Sequence, residues 1–103
     1  MAEIKEMTPE ELQQAIEENR AYTIIDVRED EEVREGMIPG AKHIRLGDIP
    51  MKVDTLNKDE THVVVCRSGR RSMNASEFMK EKGFEAINLK GGMLEWKGDT
   101  TKP

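Results

Sequence analysis

One segment gathers the residues from which chemistry is expected: Cys66-Arg67-Ser68-Gly69-Arg70-Arg71-Ser72. It holds the chain's only cysteine, three arginines and no acid. A thiolate is a nucleophile and a neutral thiol is not, so the question is what would keep Cys66 negative. An unperturbed thiol, with a pKa of about 8.5, is ionised to only a few per cent at neutral pH. If the segment turns from a strand into a helix, consecutive backbone N–H groups point inward at one anion, and the helix N-terminus reinforces them. The dipole itself supplies about 0.3–1 kcal/mol, or about 2 in favourable geometry, against about 1.4 kcal/mol per pKa unit. Direct hydrogen bonds from the loop amides, together with the arginines, must supply the rest. Gly69 relieves the crowding of so tight a turn. A cysteine closing a strand is ordinarily a buried hydrophobe. Three arginines and a glycine in the next five residues have no use in that role, and they reverse the reading.

The flanking elements place this segment. His62-Val63-Val64-Val65-Cys66 and Tyr22-Thr23-Ile24-Ile25-Asp26-Val27 are β-rich runs without polar–apolar alternation, as expected of strands covered on both faces of a parallel sheet. Ala86-Ile87-Asn88-Leu89 is a weaker third strand, and Glu3-Ile4-Lys5 and Lys42-His43-Ile44 are candidate short edge strands. Thr8 as N-cap, Pro9 at the first position and Glu11 completing a capping box start a helix that should end near Asn19. Met7 and Leu12 have the spacing of a hydrophobic staple. Helical patterns also cover residues 30–35, 48–57 and 72–82. In the last, Ala75, Phe78 and Met79 form the buried stripe, Gly83 is the C-terminal cap, and Phe84 folds back on Met79. Strands alternating with helices give an α/β domain with a mostly parallel sheet, and Cys66 then sits at the carboxyl edge, where such sheets bind ligands.

Composition bounds the rest. A chain of 103 residues suits one domain, here residues 1–98, with a polar tail over 99–103 that is expected to fray. The net charge of −5 argues against nucleic-acid and membrane-surface partners, which need a basic face. An acidic protein with one basic pocket suits a small anion instead. No apolar stretch approaches the roughly 20 residues of a membrane span, and the first seven residues carry two glutamates and no apolar block, so a cytoplasmic location is expected. One cysteine excludes an internal disulfide and argues against structural zinc.

The Cys66 to Ser72 segment resembles the active-site loop of the rhodanese superfamily. The resemblance extends to Asp26-Val27-Arg28-Glu29, Gly36-Met37-Ile38-Pro39-Gly40-Ala41, Lys82-Gly83-Phe84, and Gly91-Gly92-Met93 with Trp96. These blocks, in this order, span nearly the whole chain. The resemblance implies a rhodanese-like fold, a central five-stranded sheet flanked by helices on both faces. It implies a sulfurtransferase in which Cys66 takes the outer sulfur of a donor such as thiosulfate as a persulfide. A thiophilic acceptor (cyanide, a thiol or a protein cysteine) then removes it. Arg67, Ser68, Gly69, Arg70, Arg71 and Ser72 form the donor-binding loop, with Arg67 and Arg70 as the anion contacts. Arg71 either faces the ring or braces it. Asp26 and Arg28 support the loop or its flanks, and no metal or cofactor is required. Related phosphatases place five residues between the cysteine and the clamping arginine. Here four separate Cys66 from Arg71, a ring too tight for phosphate.

The remaining residues read more plainly. Met37 stands where the family pattern commonly has histidine, a change expected to affect packing. His43 and His62 are expected to be surface or half-buried residues away from the site. Glu29-Asp30-Glu31-Glu32 reads as a solvated helix start rather than a docking patch for a basic partner. Trp96 either anchors one end of the sheet or lines the pocket mouth. Two other functions compete with small-molecule sulfur transfer: a relay module whose donor and acceptor are proteins, and a non-catalytic binding domain, against which Cys66 speaks.

Overall fold

The computed structural model describes residues 3–103. Its elements run β1 (Lys5–Met7), α1 (Pro9–Glu17), β2 (Tyr22–Asp26), α2 (Asp30–Val33), β3 (Lys42–His43), α3 (Ile49–Lys52), β4 (Thr61–Val65), α4 (Arg70–Glu81), β5 (Glu85–Leu89) and α5 (Gly92–Glu95). The five strands form one sheet in the order β1-β5-β4-β2-β3, and every pairing is parallel. All carboxyl ends therefore share one edge.

The apolar runs lack alternation because both faces of the central strands are covered. Val63 and Val65 of β4 pack with Leu12, Ile24, Ile38, Ile87 and Leu89 on the α1 side. Val64 and Cys66 pack with Ile25, Ala75, Met79 and Phe84 on the α4 side. Fully burying a side chain of this size contributes about 1.5–3 kcal/mol, so β4 anchors two cores at once.

The α1 start follows the sequence closely. Glu11 N–H donates to Thr8 Oγ1 at 3.1 Å and Thr8 N–H donates to Glu11 Oε1 at 2.8 Å. At the end of α4, Phe84 N–H donates to the Met79 carbonyl at 3.0 Å, which folds Phe84 back onto the helix.

Several expectations need correction. The helix expected from residue 72 begins two residues earlier, at Arg70, so the loop after Cys66 is shorter than its sequence suggests. The 48–57 segment is a short α-helix between two single 3₁₀ turns, with Pro50 in its first turn. The tail expected to fray is tied at Thr101, which exchanges two 2.8 Å backbone hydrogen bonds with Met37. An unpaired backbone group buried at Met37 would otherwise lack a partner, and the tail supplies it. His62 is fully buried rather than superficial. His43 lies opposite Asp26 at the carboxyl edge, the same edge as Cys66, and its Nε2 is 2.7 Å from the Arg28 carbonyl oxygen.

Candidate active site

Cys66 follows directly on β4, and α4 begins at Arg70, so three residues make the turn. Gly69 makes it in the left-handed region, at φ 99°. A β-carbon there would lie 3.3 Å from the Gly91 nitrogen and 3.4 Å from the Leu89 carbonyl oxygen, so glycine suits both the conformation and the space. The turn aims its amides at sulfur. Gly69 N–H donates to Cys66 Sγ at 3.0 Å, and Ser72 Oγ lies 3.3 Å from it. Burial pushes the Cys66 thiol up, but the Ser72 hydroxyl and the backbone amides of Ser72, Gly69 and Ser68 outweigh it. The net pKa is lowered.

A second turn holds the loop from behind. Met93 and Leu94 N–H donate to the carbonyls of Cys66 and Arg67 at 2.9 and 3.0 Å. This grip needs Gly92. Its φ is +56°, and a β-carbon there would strike the Cys66 carbonyl oxygen and come within 2.6 Å of the Arg67 carbonyl carbon.

The loop arginines divide. Arg71 turns away from the ring and makes two 2.7 Å bonds to Glu32, one to each carboxylate oxygen. Those bonds hold the Glu32 carboxyl down at about 2. Glu32 is therefore an ion-pair partner rather than part of a solvated face, and Arg71 takes the bracing position. Arg67 and Arg70 are exposed, and among the described residues neither side chain has a hydrogen-bond or ion-pair partner. They are the two uncommitted cations beside the sulfur.

Among the described residues, the Asp26 and Arg28 side chains make no hydrogen bond or ion pair to the loop. Arg28 is buried and donates to Asp26 through Nε and Nη2, the shortest contact being 2.8 Å, and to the carbonyls of Glu32 and Gly36. The pair thus pins α2 and the chain after it, and α2 in turn carries Glu32 to Arg71.

Asn88 was not singled out in the sequence, although a polar residue inside the apolar Ala86-Ile87-Asn88-Leu89 run was a signal for it. It is buried on β5 and joins Ser72, the Gly69 carbonyl and Glu6 of β1. Glu32 and Glu6 had no comparable signal, because each acts on a partner distant in sequence, whereas Gly92 lay in the Gly91-Gly92-Met93 block of the resemblance without its role being legible. Trp96 packs on the α1-side core and donates from Nε1 to the Asp99 carbonyl at 3.0 Å, so it anchors one end of the sheet.

Cys66 has no solvent-exposed surface. A shallow, mostly apolar depression of about 260 Å³ opens beside the loop, lined by Arg28, Glu32, Glu35, Arg67, Met93 and Leu94. A larger cavity of about 710 Å³ between α1 and residues 97–99 shares no residue with the loop. Among the described residues, no group of three or more His, Cys, Asp or Glu is placed to hold a metal ion.

Comparison with known proteins agrees with this arrangement. A crystal structure of a rhodanese-like domain protein from Staphylococcus aureus superposes with a TM-score of 0.91 at 36% identity, covering 97% of this chain and 99% of that one. A Bacillus subtilis protein named "Putative sulfurtransferase YtwF" is 54% identical over 98 residues, 95% of each chain. Another from the same organism, named "Putative sulfur carrier protein YrkF", is 39% identical over 94% of this chain, which spans about half (53%) of its length. The rhodanese-like domain profile matches residues 8–99, and with it the all-parallel sheet and the cysteine loop at its carboxyl edge have one reading: the chain belongs to the rhodanese-like domain family.

Proposed function

We propose that the chain is a sulfurtransferase that carries sulfane sulfur as a persulfide on Cys66, with thiosulfate as a competent donor. The observation that carries this reading is the sulfur at the focus of the turn, 3.0 Å from the Gly69 amide and drawn toward its anionic form. Preorganised donors of this kind stabilise negative charge without reorganising during reaction.

The Cys66 thiolate attacks the outer sulfur of thiosulfate. A new S–S bond forms, the S–SO₃ bond breaks, and its electron pair leaves with sulfite. No proton moves, so no general base is needed. The negative charge passes to the outer sulfur of Cys66–S–S⁻, and the loop amides hold it. Arg67 and Arg70 attract the donor dianion, while Arg71 keeps the turn in shape through Glu32. Because Cys66 is covered, the donor reaches it when the side chains at the rim part. A working thiol suits a reducing cytoplasm. No described helix is long and apolar enough to cross a membrane.

A second reading makes the acceptor, or both partners, a protein. Leu94 is 61% exposed beside Arg67, an apolar surface for which thiosulfate has no use, and the name of the sulfur-carrier relative points the same way. One experiment tests the shared step. Incubation with thiosulfate should raise the intact mass by one sulfur atom, and Cys66→Ser, folded as judged by circular dichroism, should gain none. An unchanged wild-type mass would remove thiosulfate as donor. Loading from a persulfidated protein alone would then leave the relay standing.

A further inference from the structure

Asn88 imposes a choice on Ser72. Asn88 is 1% exposed, and both its amide hydrogens are committed. One goes to Glu6 Oε2 at 3.0 Å, the other to the Gly69 carbonyl oxygen at 3.1 Å. A carboxylate and a carbonyl only accept, so the amide cannot be turned round. Its oxygen therefore faces Ser72 Oγ in a short contact, and that oxygen too can only accept. The same Ser72 Oγ lies 3.3 Å from Cys66 Sγ. A hydroxyl has one proton, and here two acceptors face it.

The three states of the cysteine meet this contest differently. The neutral thiol satisfies everyone: S–H donates to Ser72 Oγ, whose O–H donates to Asn88 Oδ1. The free thiolate draws the Ser72 proton to itself and leaves Asn88 Oδ1 facing a bare hydroxyl oxygen. A buried polar group left without its partner costs about 1–3 kcal/mol. In the persulfide, Sγ is bonded, uncharged and without a proton. The charge sits on the outer sulfur, and the Ser72 proton returns to Asn88.

We propose that Asn88 is a positioning residue that competes with the free thiolate for the Ser72 proton, so that the unloaded cysteine is held negative less strongly than its loop donors would otherwise hold it, and that the contest ends when Cys66 is loaded with sulfur. The loaded half rests on the persulfide reading above; the proton contest does not. The charged groups on the elements around the sulfur are Arg71 of α4 with Glu32 of α2, Glu6 of β1, the buried Asp26–Arg28 pair, the exposed Arg67 and Arg70, and Glu95 of α5. The variants below replace none of them, although Asn88→Leu also takes the amide hydrogen bond from Glu6.

The test is a titration of thiolate ultraviolet absorbance, with Cys66→Ser as the baseline; Cys66 is the only cysteine in the chain. Asn88→Leu should lower the midpoint by about one pH unit, a tenfold gain in ionisation, because Ser72 is then free to serve sulfur. Ser72→Ala alone should raise it by less than about threefold, since Asn88 competes for that proton and limits what Ser72 gives the sulfur. Ser72→Ala added to Asn88→Leu should restore the midpoint. An Asn88→Leu midpoint that stays or rises, or a tenfold rise from Ser72→Ala alone, overturns the proposal. If Asn88→Leu does not melt cooperatively, Ser72→Ala decides by itself. Mass gain from thiosulfate is scored separately. Coupling without loading sinks the persulfide reading, and loading without coupling sinks this one.

Discussion

A buried titratable side chain stands near each end of strand β4, His62 at its start and Cys66 just past its close, and the two ends treat theirs in opposite ways. At the carboxyl end Cys66 meets the Gly69 amide, the Ser72 hydroxyl and the turn beneath α4, and its negative form is favoured. At the amino end His62 has neither ring nitrogen hydrogen-bonded. It packs edge-on against Phe84 with centroids 5.6 Å apart, and burial lowers its pKa. Both residues are 0% exposed. Removal from water therefore does not decide which form is held, and the presence of aimed donors does. In this parallel sheet the carboxyl edge carries the turns that supply such donors, and at the opposite edge neither ring nitrogen of His62 meets a hydrogen-bond partner.

The largest expected effect attacks the carboxyl end. Gly92→Ala should push the second turn off the Cys66 and Arg67 carbonyls and slow sulfur loading on the order of a hundredfold, as a misplacement of about 1 Å can. Gly83→Ala is the matching change at the other end, where the nearest atom is Lys58 Nζ at 3.6 Å. It should reduce stability by about 1–2 kcal/mol, the cost of a left-handed β-carbon, and leave loading alone. Equal loss of loading in both, read by mass spectrometry, would erase the distinction between the ends.

A smaller effect is expected at the brace. Glu32 is held at about 2 against an ordinary 4.5, so its contribution to stability is complete above about 4.5 and disappears as pH falls toward 2. Glu32→Gln should lower stability near neutrality by about 1 kcal/mol, in keeping with its partial exposure, and flatten the acid limb of stability against pH. Chemical denaturation across that window would show an unchanged acid limb if Arg71 does not depend on Glu32.

The smallest effect belongs to the amino end. The folded-state pKa of His62 is depressed, so the unfolded chain binds more protons and stability falls as pH drops below about 6.5. His62→Leu should be near neutral or slightly stabilising at pH 7, remove that slope and leave loading unchanged. A variant that melts earlier at every pH would mean the ring makes contacts that an aliphatic side chain cannot replace.

These differences track what the sequence makes legible. The capping box at Thr8 and Glu11, the apolar β4 run and the Phe84 return are local, and local rules recover them. The cysteine loop was readable because its residues are consecutive. The Arg71–Glu32 pair joins residues 39 apart, and Ser72–Asn88 joins residues 16 apart across α4 and β5. Only the strand order brings those partners together. The acidic run containing Glu32 suited a solvated helix start equally well. Likewise His62 opens an apolar run, yet nothing local says whether a residue near the start of a strand will be covered.

The two glycine turns at the carboxyl edge also limit how the family scaffold can be redesigned. The Gly69 turn rests on Gly91 and Leu89, and the Gly92 turn rests on Cys66 and Arg67, so neither has slack of its own. Any lengthening of the cysteine loop toward a wider ring would have to be absorbed where the loop meets Gly91 and Leu89, so those are the positions to vary with it.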